Sequence, residues 1–204
     1  MAKIMQSIAL GAMLVFGAAT SGWAEDAVVG QPAPDFTLPD ANGQSQSLSQ
    51  HKGKYVVLEW FNNECPFVKK HYGSGNMQGL QAAYTAKGVV WLTIASSAPG
   101  KQGYMTPEQA QTVIRDRQAS QTALLLDPDG AVGHLYGAKT TPHLFVIGPD
   151  GTLLYAGAID DKPSYDQADI PGATNYVAQT LDEAMAGRPV SVSQTTSYGC
   201  SVKY

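Results

Sequence analysis

Runs of apolar residues, separated by turn residues, divide this chain into alternating strands and helices. The segment Tyr55 to Phe61 is largely apolar and rich in β-branched and aromatic residues, which is typical of a buried central strand. Val89 to Ala95 has the same character, and Ala123 to Leu126 is a shorter run of the same kind. These three segments predict three strands of one sheet.

Helices are predicted after each of the first two strands and at the end of the apolar pattern. The first runs from Pro66 to about Lys87, with an interruption at Gly73-Ser74-Gly75. The second runs from Pro107 to about Gln118, with Thr106 as its N-cap. The third covers Thr174 to Ala186. Strands and helices thus alternate along most of the chain.

Two hairpins complete the predicted pattern. Leu144 to Ile147 and Leu153 to Ala158 are strands joined by the turn Pro149-Asp150-Gly151. A shorter hairpin near the start turns at Asp40-Ala41-Asn42-Gly43. The alternation predicts an α/β fold with a central mixed sheet flanked by helices, to which the first hairpin adds an N-terminal extension.

The first 24 residues have the three-part pattern of a secretory signal. Residues 1–3 form a short basic segment, and Ile8 to Ala19 is an apolar run. Gly22-Trp23-Ala24 then places small residues at the two positions that a signal peptidase recognises. A membrane anchor is the alternative, but the apolar run is shorter than the roughly 20 residues that a span needs. We therefore expect cleavage after Ala24 and an exported protein, either periplasmic or secreted, with no stable membrane insertion after cleavage.

Composition narrows the function classes. The chain has 204 residues, of which 44% are hydrophobic and 15% charged, so it can bury a core and is not a disordered polypeptide. Its formal net charge of −4 and its lack of a basic patch argue against nucleic-acid binding. No dinucleotide fingerprint is present, and we expect no cofactor. We predict one domain over residues 25–186 and a polar tail over residues 187–204.

Cys65 is the first candidate for chemistry, because it directly follows a predicted buried strand and precedes Pro66 at a predicted helix start. The helix N-terminus carries about half a positive charge, which stabilises a thiolate. Lys69, one turn on, adds to this effect, whereas Glu64 opposes it. The alternative is an inert core thiol, since free cysteines are among the most buried residues.

Three segments around this cysteine resemble the thioredoxin-like superfamily. They are V-G-Q-P-A-P-D-F-T-L, E-W-F-N-N-E-C-P-F-V-K-K-H-Y and T-T-P-H-L-F-V-I-G-P-D-G, and they are most similar to the redoxin branch of alkyl hydroperoxide reductases, thiol-specific antioxidants and peroxiredoxin-like proteins. The resemblance covers roughly residues 28–186 and implies a thioredoxin fold. It implies that Cys65 is the nucleophile and that Thr141-Pro142 is a cis-proline turn beside it, which offers backbone groups to a substrate. Trp60 matches an aromatic residue found before such sites, so we include it among the candidate substrate-binding residues; a core tryptophan is the alternative.

The chain also departs from these families. Val68 stands where the second cysteine of the C-x-x-C motif would be, so the usual disulfide of that motif cannot form. Leu58 and Asn62 stand where peroxiredoxins carry a proline and a hydroxyl residue ahead of the cysteine. Asn62 or Asn63 could donate hydrogen bonds instead, and we include Asn63 among the candidate substrate-binding residues.

Cys200 is the second cysteine of the chain and lies in the predicted tail. Three roles are open for it: a resolving thiol that closes a disulfide with Cys65, a permanent disulfide that ties down the tail, or a bridge to a second chain. Gly199 gives the backbone freedom that a resolving role needs.

These residues suggest three functions. The first is a thiol–disulfide oxidoreductase with Cys65 and Cys200 as catalytic thiols, which acts on thiol or disulfide proteins and needs an electron donor that the sequence does not identify. The second is a peroxiredoxin-like antioxidant that reduces small hydroperoxides. The third is a non-catalytic binding module, in which Cys65, His71, His143 and Cys200 could hold a soft metal ion.

Overall fold

The computed structural model describes residues 27–204, so the predicted signal peptide lies outside the described residues. The chain forms a central sheet with helices on its faces, and this sheet positions the cysteine site. The elements, in chain order, are β1 (Thr37–Pro39), β2 (Ser45–Ser47), β3 (Val56–Trp60), α1 (Pro66–Gly73), α2 (Asn76–Thr85), β4 (Val90–Ala95), α3 (Pro107–Asp116), β5 (Ala123–Leu126), α4 (Ala131–Leu135), β6 (Thr140–Thr141), β7 (His143–Ile147), β8 (Leu153–Gly157), α5 (Tyr176–Met185) and β9 (Cys200–Ser201).

The central sheet has five strands in the order β5-β4-β3-β7-β8. β3, β4 and β5 are parallel to one another, whereas β7 and β8 form an antiparallel hairpin beside β3. All five residues of strand β3 are buried because the strand lies at the centre of the sheet, as its largely apolar sequence predicts. The sheet is therefore mixed, which confirms the predicted α/β fold class, and β1 and β2 form the predicted N-terminal hairpin.

Alternation along β3 divides the core into two layers. Val57 packs in one cluster with residues of α1, α2 and α5, and its neighbours Val56 and Leu58 pack in another on the opposite face of the sheet. Trp60 belongs to the second cluster. Both faces of the sheet are therefore covered. The residues that follow the carboxyl end of β3 lie in a protected position between these layers.

The helices begin where the capping residues predict. Thr106 and Gln109 form a reciprocal capping box at the start of α3. The break between α1 and α2 falls at Ser74 and Gly75, where Gly75 adopts a φ of 76° that favours glycine. Helix α3 ends at Asp116, short of the predicted Gln118, and Gln118 itself adopts a left-handed φ of 51° that does not continue a helix.

The tail is the main departure from the sequence-based expectation. The sequence predicts polar residues that follow the fold, but the structure folds residues 193–204 back along it. Thr195 N–H donates to the Ala156 carbonyl beside β8, and Val202 N–H donates to the Lys139 carbonyl. Strand β9, which was not predicted, pairs with β6. A two-residue strand is too short to show an alternation of apolar and polar residues. Whether it forms depends on its pairing partner and not on its own sequence.

Candidate active site

Cys65 lies at the junction between β3 and α1. Its backbone is extended (φ −66°, ψ 126°), and its carbonyl accepts the Lys69 N–H at 2.9 Å, so it is the N-cap residue of α1. Pro66 occupies the first helical position, as predicted. The cysteine side chain is 0% exposed. A thiol therefore sits at the positive end of a helix, sealed from water.

The loop before Cys65 is held by side-chain amides. Asn62 accepts the Glu64 N–H at 2.9 Å through Oδ1, and its Nδ2 donates to the Gln102 carbonyl at 3.3 Å. Asn63 is half-buried, and its Oδ1 accepts from Arg117 Nε at 2.9 Å. Asn63 also lines a groove of about 460 Å³ between this loop and α3. The two asparagines thus fix the approach of the chain to Cys65.

Thr141 and Pro142 lie directly against the cysteine, as the resemblance implied. The Thr141–Pro142 peptide bond is cis, and the Cys65 thiol donates to the Thr141 carbonyl at 3.1 Å. The Thr141 hydroxyl is buried and has no hydrogen-bond partner of ordinary geometry within residues 27–204. Because the turn and the cysteine are in contact, the turn forms one wall of the site.

Cys200 completes the site from the tail. On β9 it is the register partner of Thr141, and its sulfur lies 2.7 Å from the Cys65 sulfur. A disulfide bond is about 2.05 Å long, so an approach of roughly 0.7 Å would join the two sulfurs. Cys200 is partly exposed, whereas Cys65 is fully buried. The fold therefore brings together two thiols that are 135 residues apart in the sequence.

The two thiols differ in acidity. Burial opposes ionisation of Cys65, but the Cys200 and Thr141 side chains and the backbone N–H groups of Val68 and Cys200 favour the thiolate, so the pKa of Cys65 lies below its ordinary value. Burial and the neighbouring Cys65 raise the pKa of Cys200 to about 11. Since the thiolate is the nucleophilic form of a cysteine, the lowered pKa makes Cys65 the better candidate for the attacking thiol.

Trp60 does not reach this site. Its side chain is 0% exposed, its indole Nε1 donates to Ser96 Oγ at 3.0 Å, and its ring packs against Tyr136 and Phe145. It sits on the face of β3 opposite to Val57, because side chains alternate along a strand. Because it lies in the core cluster on the other face of the sheet from Cys65, Trp60 packs in the core, which is the alternative to the substrate-binding role.

The four residues of the alternative metal site do not form one cluster. Among the residues that the structure describes, no three His, Cys, Asp or Glu side chains are close enough to hold one metal ion. His71 is instead engaged with Asn76 and Tyr198, and His143 Nδ1 accepts the Lys139 N–H at 3.3 Å. Burial lowers the pKa of both histidines to about 4. The geometry therefore does not support the metal-binding alternative.

Two buried carboxylates near the site were missed by the sequence-based reasoning. Glu59 lies in β3 and accepts hydrogen bonds from the side chains of four residues, which are Tyr72, Gln81, Trp91 and Thr93. Asp160 lies after β8 and accepts from Tyr198 of the tail. A charged residue within the apolar run of β3 was a signal for the first carboxylate. Nothing local marks the second, because its partners come from distant segments.

Comparisons with known proteins find relatives that are named for thiol chemistry. The chain matches the AhpC/TSA family over residues 29–156. It is 24% identical over 157 residues to the thiol-disulfide oxidoreductase ResA of Bacillus subtilis, and the match covers 72% of this chain and 78% of that protein. It is 31% identical over 141 residues to "Putative peroxiredoxin Rv2521" of Mycobacterium tuberculosis, covering 62% of this chain and 82% of that one.

A solved structure has the same architecture. A conserved protein of Geobacillus kaustophilus superposes with a TM-score of 0.73 at 28% sequence identity. The superposition covers 87% of this chain and 92% of that one. The relatives thus include proteins named for disulfide chemistry and for peroxide chemistry, and both chemistries use thiols.

Proposed function

The chain belongs to the AhpC/TSA family, and on that premise we propose that it is an exported thiol–disulfide oxidoreductase with Cys65 as nucleophile and Cys200 as resolving thiol. The observation that carries the proposal is the contact of the two sulfurs at 2.7 Å. A pair of thiols at this distance can be oxidised together without rearrangement of the core. Their opposite pKa shifts give each of them a separate role.

The proposed reaction reduces a disulfide of a substrate protein. The Cys65 thiolate attacks one substrate sulfur, the substrate S–S bond breaks, and the other substrate sulfur leaves as a thiolate that takes up a proton. The Cys200 thiol then loses its proton and attacks the Cys65 sulfur of the mixed disulfide. The second substrate sulfur leaves, and a Cys65–Cys200 disulfide remains. Two electrons pass from the two cysteines to the substrate.

A dithiol protein must restore the reduced pair, and the structure suggests where it would enter. Cys200 is the partly exposed sulfur of the pair, and Cys65 is the sulfur with the lower pKa. An attacking thiolate reaches the accessible sulfur, and the more acidic thiol is the better leaving group. We therefore expect the donor to form its mixed disulfide with Cys200 and to release Cys65. The donor's second thiol then breaks that bond and frees Cys200.

Substrate access requires a movement of the tail. Cys65 is fully buried, and Cys200 on β9 covers it. Strand β9 has only two residues, so its backbone pairing with β6 is limited. Its departure would expose Cys65 beside Pro142 and Asn63, which we propose as substrate-binding residues together with Thr141.

The proposed location follows from the first 24 residues, whose pattern is that of a secretory signal. Export would place the two cysteines in a compartment where disulfides form and exchange. None of the helices in residues 27–204 has the length and apolar character needed to cross a bilayer. Sequencing the amino terminus of the exported protein tests this part: a start at Glu25 supports it, and a retained Met1 contradicts it.

The proposal is tested by intact mass after exposure of the reduced chain, without residues 1–24, to oxidised glutathione. The wild type should end with an intramolecular Cys65–Cys200 bridge. Cys200→Ser should stop at a glutathione adduct on Cys65, because no second thiol can displace it. Cys65→Ser should form an adduct on Cys200 more slowly than the wild type forms one on Cys65, because burial still raises the pKa of Cys200 when the contribution of Cys65 is removed.

Three outcomes would contradict the assignment. If Cys65→Ser reacts at the rate of the wild type, Cys65 is not the nucleophile. If the wild type stops at a glutathione adduct, Cys200 is not the resolving thiol. A bridge that forms but resists a dithiol reductant in the folded protein would indicate the static disulfide instead.

Hydroperoxide reduction is a second candidate, and the Thr141 hydroxyl favours it. This buried hydroxyl has no ordinary partner within residues 27–204 and could donate to a peroxide, replacing the hydroxyl residue that is absent at Asn62. The Cys65 thiolate would attack one peroxide oxygen, the O–O bond would break to release an alcohol or water, and a sulfenic acid would form. Cys200 would then condense with it and release water. Rapid sulfenic acid formation in Cys200→Ser with hydrogen peroxide, but slow reaction with oxidised glutathione, would favour this function.

A further inference from the structure

Tyr198, two residues before Cys200, connects the tail to a buried carboxylate. Its hydroxyl donates to Asp160 Oδ1 at 2.5 Å, and Asp160 is 2% exposed. Burial and this carboxylate raise the pKa of Tyr198, so the phenol remains a proton donor across the physiological range. A hydrogen bond to a charged group is stronger than a bond between neutral groups. The contact is therefore strong enough to order the tail.

The same carboxylate faces two basic residues of the helix that begins after Cys65. Lys70 Nζ and His71 Nε2 each lie 3.9 Å from Asp160 Oδ2, and both side chains are 0% exposed. His71 Nε2 is also 3.3 Å from the Tyr198 hydroxyl, and Lys70 Nζ lies 5.8 Å from the centre of its ring. Asp160 thus links helix α1, which places Cys65, to the tail, which carries Cys200.

The chain between this contact and Cys200 is short and confined. Tyr198 packs edge-to-face on Phe67 of α1, with ring centres 5.9 Å apart. Gly199 then adopts a φ of 138° and passes so close to the Thr141 carbonyl that a Cβ would collide with it. After it, Cys200 reaches the Cys65 sulfur. With Tyr198 fixed, only one residue separates a held position from the thiol.

Backbone pairing alone does not account for this placement. Strand β9 contributes two residues of pairing with β6, and the further backbone bonds of Val202 and Lys203 all lie on the carboxyl-terminal side of Cys200. The buried Asp160–Tyr198 contact supplies side-chain ordering on the amino-terminal side of Cys200. Breaking the contact removes the closest donor from Asp160, which stays buried beside Lys70 and His71.

We propose that Tyr198 and Asp160 are positioning residues for the resolving step, which hold Cys200 at the Cys65 sulfur by tying the tail to α1. The inference rests on the proposed function, since it concerns the thiol that closes the disulfide. Neither residue touches the reacting atoms. Their contribution is to raise the effective concentration of Cys200 at Cys65, as a tether does when its length matches the span.

The test compares Tyr198→Phe with Tyr84→Phe. Tyr198→Phe keeps the ring and its packing on Phe67 but removes the hydroxyl. Tyr84→Phe is the matched control, because it also removes a tyrosine–carboxylate contact, the 3.1 Å bond from Tyr84 to Asp182 Oδ1, far from the tail in sequence. The readout is the effective concentration of Cys200 toward Cys65, measured from the equilibrium of the bridge with reduced and oxidised glutathione.

Tyr198→Phe should lower this effective concentration by about tenfold or more, as expected for a hydrogen bond to a charged acceptor. Closure of the bridge from the Cys65–glutathione adduct should slow by a similar factor. The first step, formation of that adduct, should not slow. Tyr84→Phe should match the wild type in all three readouts. An unchanged effective concentration in Tyr198→Phe, in protein with a native circular-dichroism spectrum, would overturn the proposal.

Failure of the proposed function would look different. If the wild type forms no Cys65 adduct and no bridge, the redox proposal itself fails, whereas equal bridge formation in wild type and Tyr198→Phe removes only the positioning role. Asp160→Asn is a second probe that keeps an oxygen acceptor while removing the charge. If that variant does not fold, the Tyr198→Phe measurement decides alone, because it leaves the carboxylate in place.

Discussion

The two halves of the site are built by different kinds of structure. Cys65 is placed by local elements: a central strand ends, a loop fixed by Asn62 and Asn63 follows, and a helix begins. Cys200 is placed by contacts with distant segments, through the pairing with Thr141 and the bond from Tyr198. One half belongs to the core, and the other is attached to it.

A buried carboxylate in each half, Glu59 in the core and Asp160 at the tail, shows what the difference means. All the side-chain donors to Glu59 come from the core, namely from β4, α1 and α2. Asp160 instead takes a donor from the tail. Loss of the hydrogen bonds to Glu59 should lower the stability of the whole domain. Loss of the bond from Tyr198 to Asp160 should change the thiol chemistry of a domain that remains folded. The two halves can therefore be altered separately.

The largest effect is expected in the core half. Glu59→Leu keeps a similar volume but removes the acceptor of three buried donors, which are the Tyr72 hydroxyl, Trp91 Nε1 and Thr93 Oγ1. The fourth donor, Gln81 Nε2, still donates to the Tyr72 hydroxyl at 3.0 Å. An unsatisfied buried group costs about 1–3 kcal/mol. We expect the free energy of unfolding to fall by about 3–5 kcal/mol in urea denaturation, as this number of groups implies.

The control for this variant is Glu108→Leu, the same change at an exposed position. Its effect should lie within about 0.5 kcal/mol, as is usual for surface substitutions. If the two variants lose the same stability, the hydrogen bonds to Glu59 do not stabilise the core. The contrast between core and tail would then lose its physical basis.

A smaller effect is expected where the two halves meet. The Cys200 side chain is the foremost of the interactions that favour the Cys65 thiolate against the opposing effect of burial. Cys200→Ala should therefore raise the pKa of Cys65, and Cys200→Ser, which keeps a donor, should raise it less. Ultraviolet absorbance of the thiolate as a function of pH measures both shifts.

The direction of the pH dependence follows from the same shift. Because the pKa of Cys65 is lowered, its thiolate persists below the ordinary titration range of a thiol and is lost as the pH falls through the lowered value. In Cys200→Ala this loss should begin at a higher pH. A titration identical to that of the wild type would mean that the tail does not tune the nucleophile.

The smallest effect is expected for Thr141→Val, which removes a hydroxyl and keeps the shape of the side chain. Burial still opposes ionisation, and the Thr141 side chain contributes less than Cys200 does to the lowered pKa of Cys65. We expect the pKa to rise by less than it does in Cys200→Ala. The rate of reaction with hydrogen peroxide should fall more than the rate with oxidised glutathione if Thr141 also contacts a peroxide. If both rates fall by the same factor, the Thr141 hydroxyl affects only the Cys65 thiolate and does not contact a peroxide.

Much of the fold was predictable because its signals are local. The apolar run of β3, the proline after Cys65 and the N-cap at Thr106 each act within a few residues, and the structure has the corresponding elements at nearly the predicted bounds. The sequence left two alternatives for Trp60, because a strand signal predicts burial but does not say which face of the sheet a side chain joins. Strand β9 was missed because a two-residue strand has no period of its own.

The sequence by itself determined an α/β domain with a cysteine at a strand-to-helix junction, since apolar periodicity and helix capping depend on neighbouring residues. Only the tertiary structure decided that Cys200 lies 2.7 Å from Cys65, that Tyr198 reaches Asp160, and that the tail belongs to the site. These contacts join segments far apart in the chain, and their energies come from burial and hydrogen bonding that exist only once the core has formed.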